Sequence, residues 1–400
     1  MTNSAVPVER GCPFAPPAAY ERLREQGPIS KVRLTSGGEA WWVAGQEAAR
    51  AVLANPRFSA DRRTDGYPLY ALDAATLQMV RIQPPVMLGM DGAEHSAARR
   101  PVISEFTAKR LAALRPHIQD IVDHFIDNML TADRHPIDLV QALSLPVPSL
   151  VICELLGVPY TDHDFFQNRT AAMVSATALE DRPQAFADLR AYFDDLVTRK
   201  ESEPGDDLLS RQIARQRQEG GAVDHTSLVS LAFLLLTAGH ETTANMISLG
   251  VLALLTHPEQ LALITADPDK TPTAVEELLR YFSIVDGVTA RVATEDVRIG
   301  GVSIKAGEGV VVSTLSAGWD PVAFKDPAKL DIERGARHHL AFGFGPHQCL
   351  GQNLARMELQ IVFDTLFRRI PTLRLAVPTE EIAFKTDAVV YGVHELPVTW

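Results

Sequence analysis

Two stretches of this 400-residue sequence hold residue types able to do chemistry: Gly239-His240-Glu241-Thr242-Thr243, set in an apolar run, and Cys349, set among glycines and aromatics. The first begins like a zinc-protease helix, in which H-E-x-x-H puts two imidazoles on one face with a glutamate beside the metal. Position 244 is alanine, so the zinc reading loses a ligand. An acid followed by two hydroxyls remains, and taken alone this cluster also fits a mere kink in a helix.

Cys349 sits in HHLAFGFGPHQCLGQNLARMELQIVF, where a loop of glycines, a proline and aromatics runs into helical spacing at Leu350, Leu354, Met357 and Ile361. That spacing predicts the sulfur at or just before a helix N-terminus, where unpaired N–H groups and the helix dipole favour a thiolate. Gly343, Gly345 and Gly351 leave room for backbone amides or a flat ligand. Such a thiolate is a nucleophile or a metal ligand; the bland alternative is a buried cysteine in a turn. A nucleophile would want His347 as base, but nothing in the two-residue spacing brings the ring to the sulfur. A metal fits better. With no other Cys or His at zinc spacing, it would be one whose remaining ligands come from a cofactor, and haem iron bound by a cysteine thiolate is such a case.

The elements that must position these residues are mostly helices. Apolar residues recur at three- and four-residue steps over 93–130, 147–156 and 183–200. The longest helix is expected from about Thr226, capped by Asp224 or Thr226, to the Thr256-His257-Pro258 stop, roughly 45 Å at 1.5 Å per residue. Alternating residues around Ser-Gly-Gly in 29–45 predict a β-hairpin, 296–316 reads as a second β-rich patch, and LRLAVP and ELPVTW are short closing strands. The expected fold class is mainly α with small peripheral β-sheets. No linker or repeat marks a boundary, so 1–400 is read as a single domain.

Composition agrees with a large globular core: 46% of residues are apolar and 22% charged. Lys and Arg number 38 against 50 Asp and Glu, and a net charge of −12 disfavours nucleic acid as a partner. The N-terminus lacks the basic and apolar segments of a signal, and the longest apolar stretch, 228–238, falls far short of the ~20 residues that cross a bilayer. A cytoplasmic protein with no membrane association is expected. Cys12, Cys153 and Cys349 fit neither a disulfide framework nor a C-x-x-C metal site.

The segment FGFGPHQCLG resembles the haem-binding signature of the cytochrome P450 superfamily, F-x-x-G-x-[HR]-x-C-x-G, at Phe342, Gly345, His347, Cys349 and Gly351, and the similarity covers most of the chain. The resemblance implies the triangular, helix-rich prism of that family, haem b as cofactor, Cys349 as axial ligand to the metal and Phe342 packed beside it. AGHETT matches the family's acid-alcohol motif, with Glu241 as acid and Thr242 as alcohol supplying the protons for O–O cleavage, and Ala238 and Gly239 relieving the helix where it passes the cofactor. His95, Arg99, Arg291 and His347 match positions that hold the haem propionates. Glu277 and Arg280, read alone as a surface pair, match a buried E-x-x-R pair completed by Arg334, a structural triad.

By the same resemblance the chain is a soluble bacterial, actinomycete-type, class I monooxygenase, a monomer, that uses O2 and receives electrons from NAD(P)H only through a ferredoxin and a ferredoxin reductase. Arg337, His338, Arg356, Arg368 and Arg369 are candidates for the docking face. Segments that wall the family's pocket are apolar here, which implies a lipophilic substrate such as a polyketide, terpenoid or steroid-like compound; Val80, Met87, Leu234, Ala238, Val288 and Val389 are candidate contacts, and Arg81 or Asp286 would hold a polar group. Gly318 and Trp319, in SAGWDP, depart from the family's common S-A-N-R-D-P. The alternatives are another haem-thiolate chemistry (oxidative coupling, peroxygenase, isomerase), a non-catalytic haem carrier or sensor, and, remotely, a zinc hydrolase.

Overall fold

The computed structural model describes residues 10–34, 38–68, 86–174, 181–386 and 388–400. It is mainly helical with small sheets, as the periodicity predicts. The described residues form two compact units, one from 1–99 and 269–352, the other from 100–268 and 353–400. No change in composition marks these divisions, which leaves them invisible in the sequence.

The first unit is built on a five-stranded sheet in the order Ile29–Arg33, Glu39–Val43, Gly309–Val312, Thr289–Ala293, Phe58–Ser59. The predicted hairpin pairs in register from Ile29↔Val43 to Arg33↔Glu39. Gly309–Val312 is buried along its whole length, and a strand covered on both faces reads as an unbroken apolar run. Val43, Val310 and Val312 pack with Ala49 and Val52 of the helix Gln46–Ala54 and with Leu340, which leads into the cysteine loop. In the β-rich patch Val297–Ile299 pairs antiparallel with Val302–Ile304 around Gly300-Gly301.

The second unit is organised by the 32-residue helix His225–Thr256. The Asp224 carboxylate accepts from Ser227 N at 3.1 Å, so the helix starts one residue before the expected Thr226. It packs on the helices Pro146–Leu156, His163–Val174 and Arg182–Ser202. A Cβ at Gly250 would lie 2.4 Å from Phe363, so glycine there lets the helix Gln352–Arg369 approach closely. The helix predicted over 93–130 is broken into Gly92–Ile103 and Ala108–Leu130 by a tight turn at Ser104–Phe106 and an extended Thr107. Pro101 removes a ladder donor just before the break, and Arg211 draws the Glu105 carboxylate of the turn to 2.9 Å. The closing strands Arg374–Leu375 and Pro397–Thr399 pair as expected, joined by Ile137–Asp138. Among the described residues no single helix is long and apolar enough to cross a membrane.

His225, at the start of the long helix, has Nδ1 2.8 Å from Glu201 and Nε2 3.1 Å from Asp194. Both nitrogens face carboxylates, which favours the imidazolium form; the Glu201 bond leads in raising the pKa above the ordinary value of about 6.5. A raised folded pKa gives stability that is fully present below the unfolded value and lost as pH rises through the folded one. The thermal-unfolding difference between wild type and His225→Gln is therefore expected to be largest below about pH 6.5 and to shrink at higher pH; a pH-independent difference would contradict the ion-pair account.

Candidate active site

Cys349 stands three residues before the helix Gln352–Arg369, after a short 3-10 turn, Gly345–His347, and its thiol is exposed. The loop is fixed by its own backbone: Cys349 N donates to Phe342 O at 2.8 Å and Gly343 N to Leu340 O at 2.8 Å. Gly345 has φ +74°, and a Cβ there would come within 2.7 Å of Leu53 O, so the loop's close seat on the helix Gln46–Ala54 requires glycine. The Arg50 guanidinium of that helix lies 3.9 Å from the centre of the Phe344 ring. Sequence reasoning missed this clamp, because nothing in Arg50 or Leu53 distinguishes them from other helical residues.

Around this loop the first unit gathers the four predicted cations. The rings of His95 and His347 are 4.1 Å apart, and Arg99 donates to Gln348 O, next to the cysteine. Arg291, on the strand Thr289–Ala293, is buried with Nη1 bound to Ala290 O at 2.7 Å. Asp91 lies 3.9 Å from His347 Nε2, but it is already engaged by Ser59 Oγ and by Ala60 N at 2.9 Å. Burial is the leading cause that lowers the pKa of all four, with His347 pushed down to about 4. His95 Nε2 is buried without a hydrogen-bond partner. Two desolvated guanidiniums and an unpartnered imidazole nitrogen call for an anion. The donor set therefore fits the two carboxylates of haem, with a cysteine sulfur beside them for the iron. Among the described residues no group of three or more His, Cys, Asp or Glu is placed to hold a metal.

Glu277 and Arg280 are fully buried. The two glutamate oxygens accept from Arg280 Nη2 and Nε at 2.7 Å each, and Arg334 Nε donates to Oε1 at 3.0 Å. Arg280 Nη1 also donates to Gly318 O at 2.8 Å and Pro327 O at 3.0 Å. The departure at Gly318 and Trp319 is explained here: a Cβ at 318 would meet Arg280 O at 2.7 Å, and Trp319 Nε1 donates to Tyr281 O at 2.8 Å. A second buried pair, His339 to Glu276 at 3.2 Å, holds the start of the cysteine loop and was not foreseen.

In the second unit the long helix is buried from Leu228 to Leu254 except at Leu231, Leu234, Thr237, Ala238, Gly239 and Thr242. Leu231, Leu234, Ala238 and Thr242 follow helical steps and share one open face. Ala238 lies on this open face. At Gly239 a Cβ would lie 3.1 Å from Ile152, so glycine there permits close packing against the helix Pro146–Leu156. The helix is unbroken at the polar cluster, and Thr237, Thr242 and Thr243 satisfy their hydroxyls on the carbonyls four residues back. Glu241 is buried and accepts from Asn245 Nδ2 at 3.1 Å, with Lys385 Nζ at 3.7 Å.

Of the predicted substrate contacts, Met87 and Val288 are half-buried in the first unit, and Leu234 and Val389 half-buried in the second. Val80 and Arg81 lie outside the described residues. Asp286 is spent structurally, accepting from Ser313 Oγ at 2.9 Å and Leu315 N at 3.2 Å, which removes it as a substrate ligand. Of the docking candidates Arg337, His338 and Arg368 are exposed, Arg356 is half-buried, and Arg369 is committed to Asp123 and Asp127.

Comparison with known proteins agrees with this geometry. The model of the cytochrome P450 family matches residues 172–372. Pentalenic acid synthase of Streptomyces avermitilis is 50% identical over 99% of this chain and 97% of its own length, and vitamin D3 dihydroxylase of Streptomyces griseolus is 48% identical over 99% and 97%. The crystal structure of cytochrome P450 MoxA from Nonomuraea recticatena is 80% identical, with a TM-score of 0.94 over 100% of this chain and 99% of that one.

Proposed function

The chain belongs to the cytochrome P450 family, whose members are haem-iron monooxygenases, and from that premise we propose that it hydroxylates or epoxidises a lipophilic natural product or a steroid- or terpenoid-like compound. The observation that carries this reading is the exposed Cys349 held by a glycine-built loop beside two desolvated arginines, Arg99 and Arg291, and the His95–His347 pair. Haem b, bound through that thiolate, supplies the activation of O2, one atom of which enters the substrate while the other leaves as water.

The chain's own residues bind, orient and move protons. Arg99 and Arg291, with His95 and His347, hold the propionates by charge-assisted bonds. The Thr242 hydroxyl, which donates to Ala238 O at 2.8 Å, keeps its lone pairs to accept a hydrogen bond from water, and Glu241 would relay protons from solvent to that water. Leu231, Leu234 and Ala238 keep their face of the helix apolar, which excludes bulk water and favours a lipophilic substrate. The names of the relatives, vitamin D3 dihydroxylase and pentalenic acid synthase, support that substrate class. Electrons come from NAD(P)H through a ferredoxin and its reductase, with the exposed Arg337 and Arg368 as docking candidates; the protein works as a cytoplasmic monomer of one P450 domain.

The test supplies the haem-loaded chain with ferredoxin, reductase and labelled O2 and identifies the product of a compound that changes the iron spin state. One labelled oxygen in the product is expected. Thr242→Ala should go on consuming reductant while product per reductant falls about 10- to 100-fold and peroxide rises, as loss of a positioned proton donor predicts. Product without labelled oxygen would favour coupling or isomerisation, and unchanged yield in Thr242→Ala would remove that residue from catalysis.

A further inference from the structure

The acid of the long helix is gripped from an unexpected direction. In the second unit 383–385 and 391–394 pair as the two arms of a small hairpin: Phe384 bridges Val393, Lys385 N donates to Gly392 O at 2.8 Å, His394 N donates to Ala383 O at 2.9 Å, and the Phe384 and Tyr391 rings stack 6.0 Å apart. This hairpin is seated on the helix at Asn245. A Cβ at Gly392 would fall 1.7 Å from Asn245 Oδ1, so only glycine allows the contact. Asn245 in turn points Nδ2 at the Glu241 carbonyl, 2.8 Å, and at Glu241 Oε2, 3.1 Å. The hairpin delivers Lys385 Nζ to 3.7 Å from the same Oε2, with the glutamate side chain 7% exposed and the lysine 22%. Among the described residues the other titratable neighbour is His240, on the helix itself, whose ring is bound to Leu236 O and Thr170 Oγ1 at 3.0 Å each and so is turned to other partners.

We propose that Lys385 is a positioning residue for Glu241: its ammonium, carried by the C-terminal hairpin and aided by Asn245, holds the buried carboxyl group toward the hairpin, so that proton supply through Glu241 is set by a contact outside the acid-alcohol motif. The inference rests on the reading of Glu241 as the acid. A partly exposed lysine beside a buried carboxylate also gives that acid a route to solvent protons, which an apolar helix otherwise denies it.

The test uses the full-length, haem-loaded chain as wild type, Lys385→Met, Lys385→Arg and Glu241→Gln. The first readout is independent of turnover: the infrared bands of the carboxyl groups, with the part that disappears in Glu241→Gln assigned to Glu241. In Lys385→Met the Glu241 band should shift in frequency as the ammonium beside it is lost, and Lys385→Arg should restore the wild-type position. The second readout is product per reductant, expected to fall about 10-fold in Lys385→Met towards the Glu241→Gln value and to return within about twofold in Lys385→Arg. If Glu241→Gln lowers product yield while Lys385→Met leaves both the Glu241 infrared band and the yield unchanged, the positioning role is overturned and the acid's role stands. If Glu241→Gln itself turns over like wild type, the reading of Glu241 falls and this inference falls with it.

Discussion

Replacing Cys349 by serine is expected to abolish monooxygenation, by ~10³-fold or more, the order of loss when the group on which the chemistry wholly depends is removed, while leaving the fold intact. The structure separates these two outcomes. The bond that fixes residue 349 is made by its backbone, Cys349 N to Phe342 O at 2.8 Å, and serine keeps it. The loop's shape comes from Gly343 and Gly345, both at positive φ, and from the seat on Leu53, none of which involves the sulfur. Serine is close in size and cannot act as a thiolate at neutral pH, so what is lost is the soft, electron-donating ligand alone. The checks are circular dichroism and thermal unfolding, expected to match wild type, beside turnover and the haem absorption spectrum, expected to lose thiolate character. A serine variant that retains both turnover and spectrum would refute the assignment of Cys349.

The second large effect lies away from the chemistry. Arg280→Ala would leave the Glu277 carboxylate fully buried with Arg334 as its remaining cation and would strip Gly318 O and Pro327 O of their donor. Breaking a buried pair by deleting one partner costs about 3–5 kcal/mol, a large part of the roughly 5–15 kcal/mol that holds a domain folded. Lysine should not rescue it, since one ammonium cannot reproduce the two parallel bonds to Glu277 together with the bonds to two carbonyls. The expected result is low soluble yield and little haem per chain, measured by the ratio of haem to protein absorbance after purification. Normal haem content in Arg280→Ala would show that the triad is dispensable.

These residues differ in how far the sequence reveals them. Cys349 and its glycines were legible because a strained loop can be built from few residue types, and the requirement is local. The four cations were legible only through resemblance: His95 at position 95 and Arg291 on a strand look like any surface cation until the fold brings them to one loop. Glu277 and Arg280 read as a solvated pair because a three-residue step on a helix says nothing of what covers it. The close approach of Ile152 to Gly239 was not legible, since a glycine inside a helix opens space without saying on which side. The grip of Lys385 on Glu241 was likewise hidden, as it depends on a hairpin some 140 residues downstream meeting the helix at Gly392. Helix ends were read well where a side chain caps them, as at Asp224, and poorly at Thr107, where a proline and an ion pair outweigh apolar periodicity.

The most direct test of the central claim is the absorption spectrum of the purified wild-type protein after reduction under carbon monoxide. A cysteine thiolate beneath the iron predicts the strongly red-shifted Soret band of a thiolate-ligated carbonyl haem, present in wild type and absent in Cys349→Ser. A protein that binds haem but shows only the band of a histidine-ligated or unligated carbonyl complex would contradict the account.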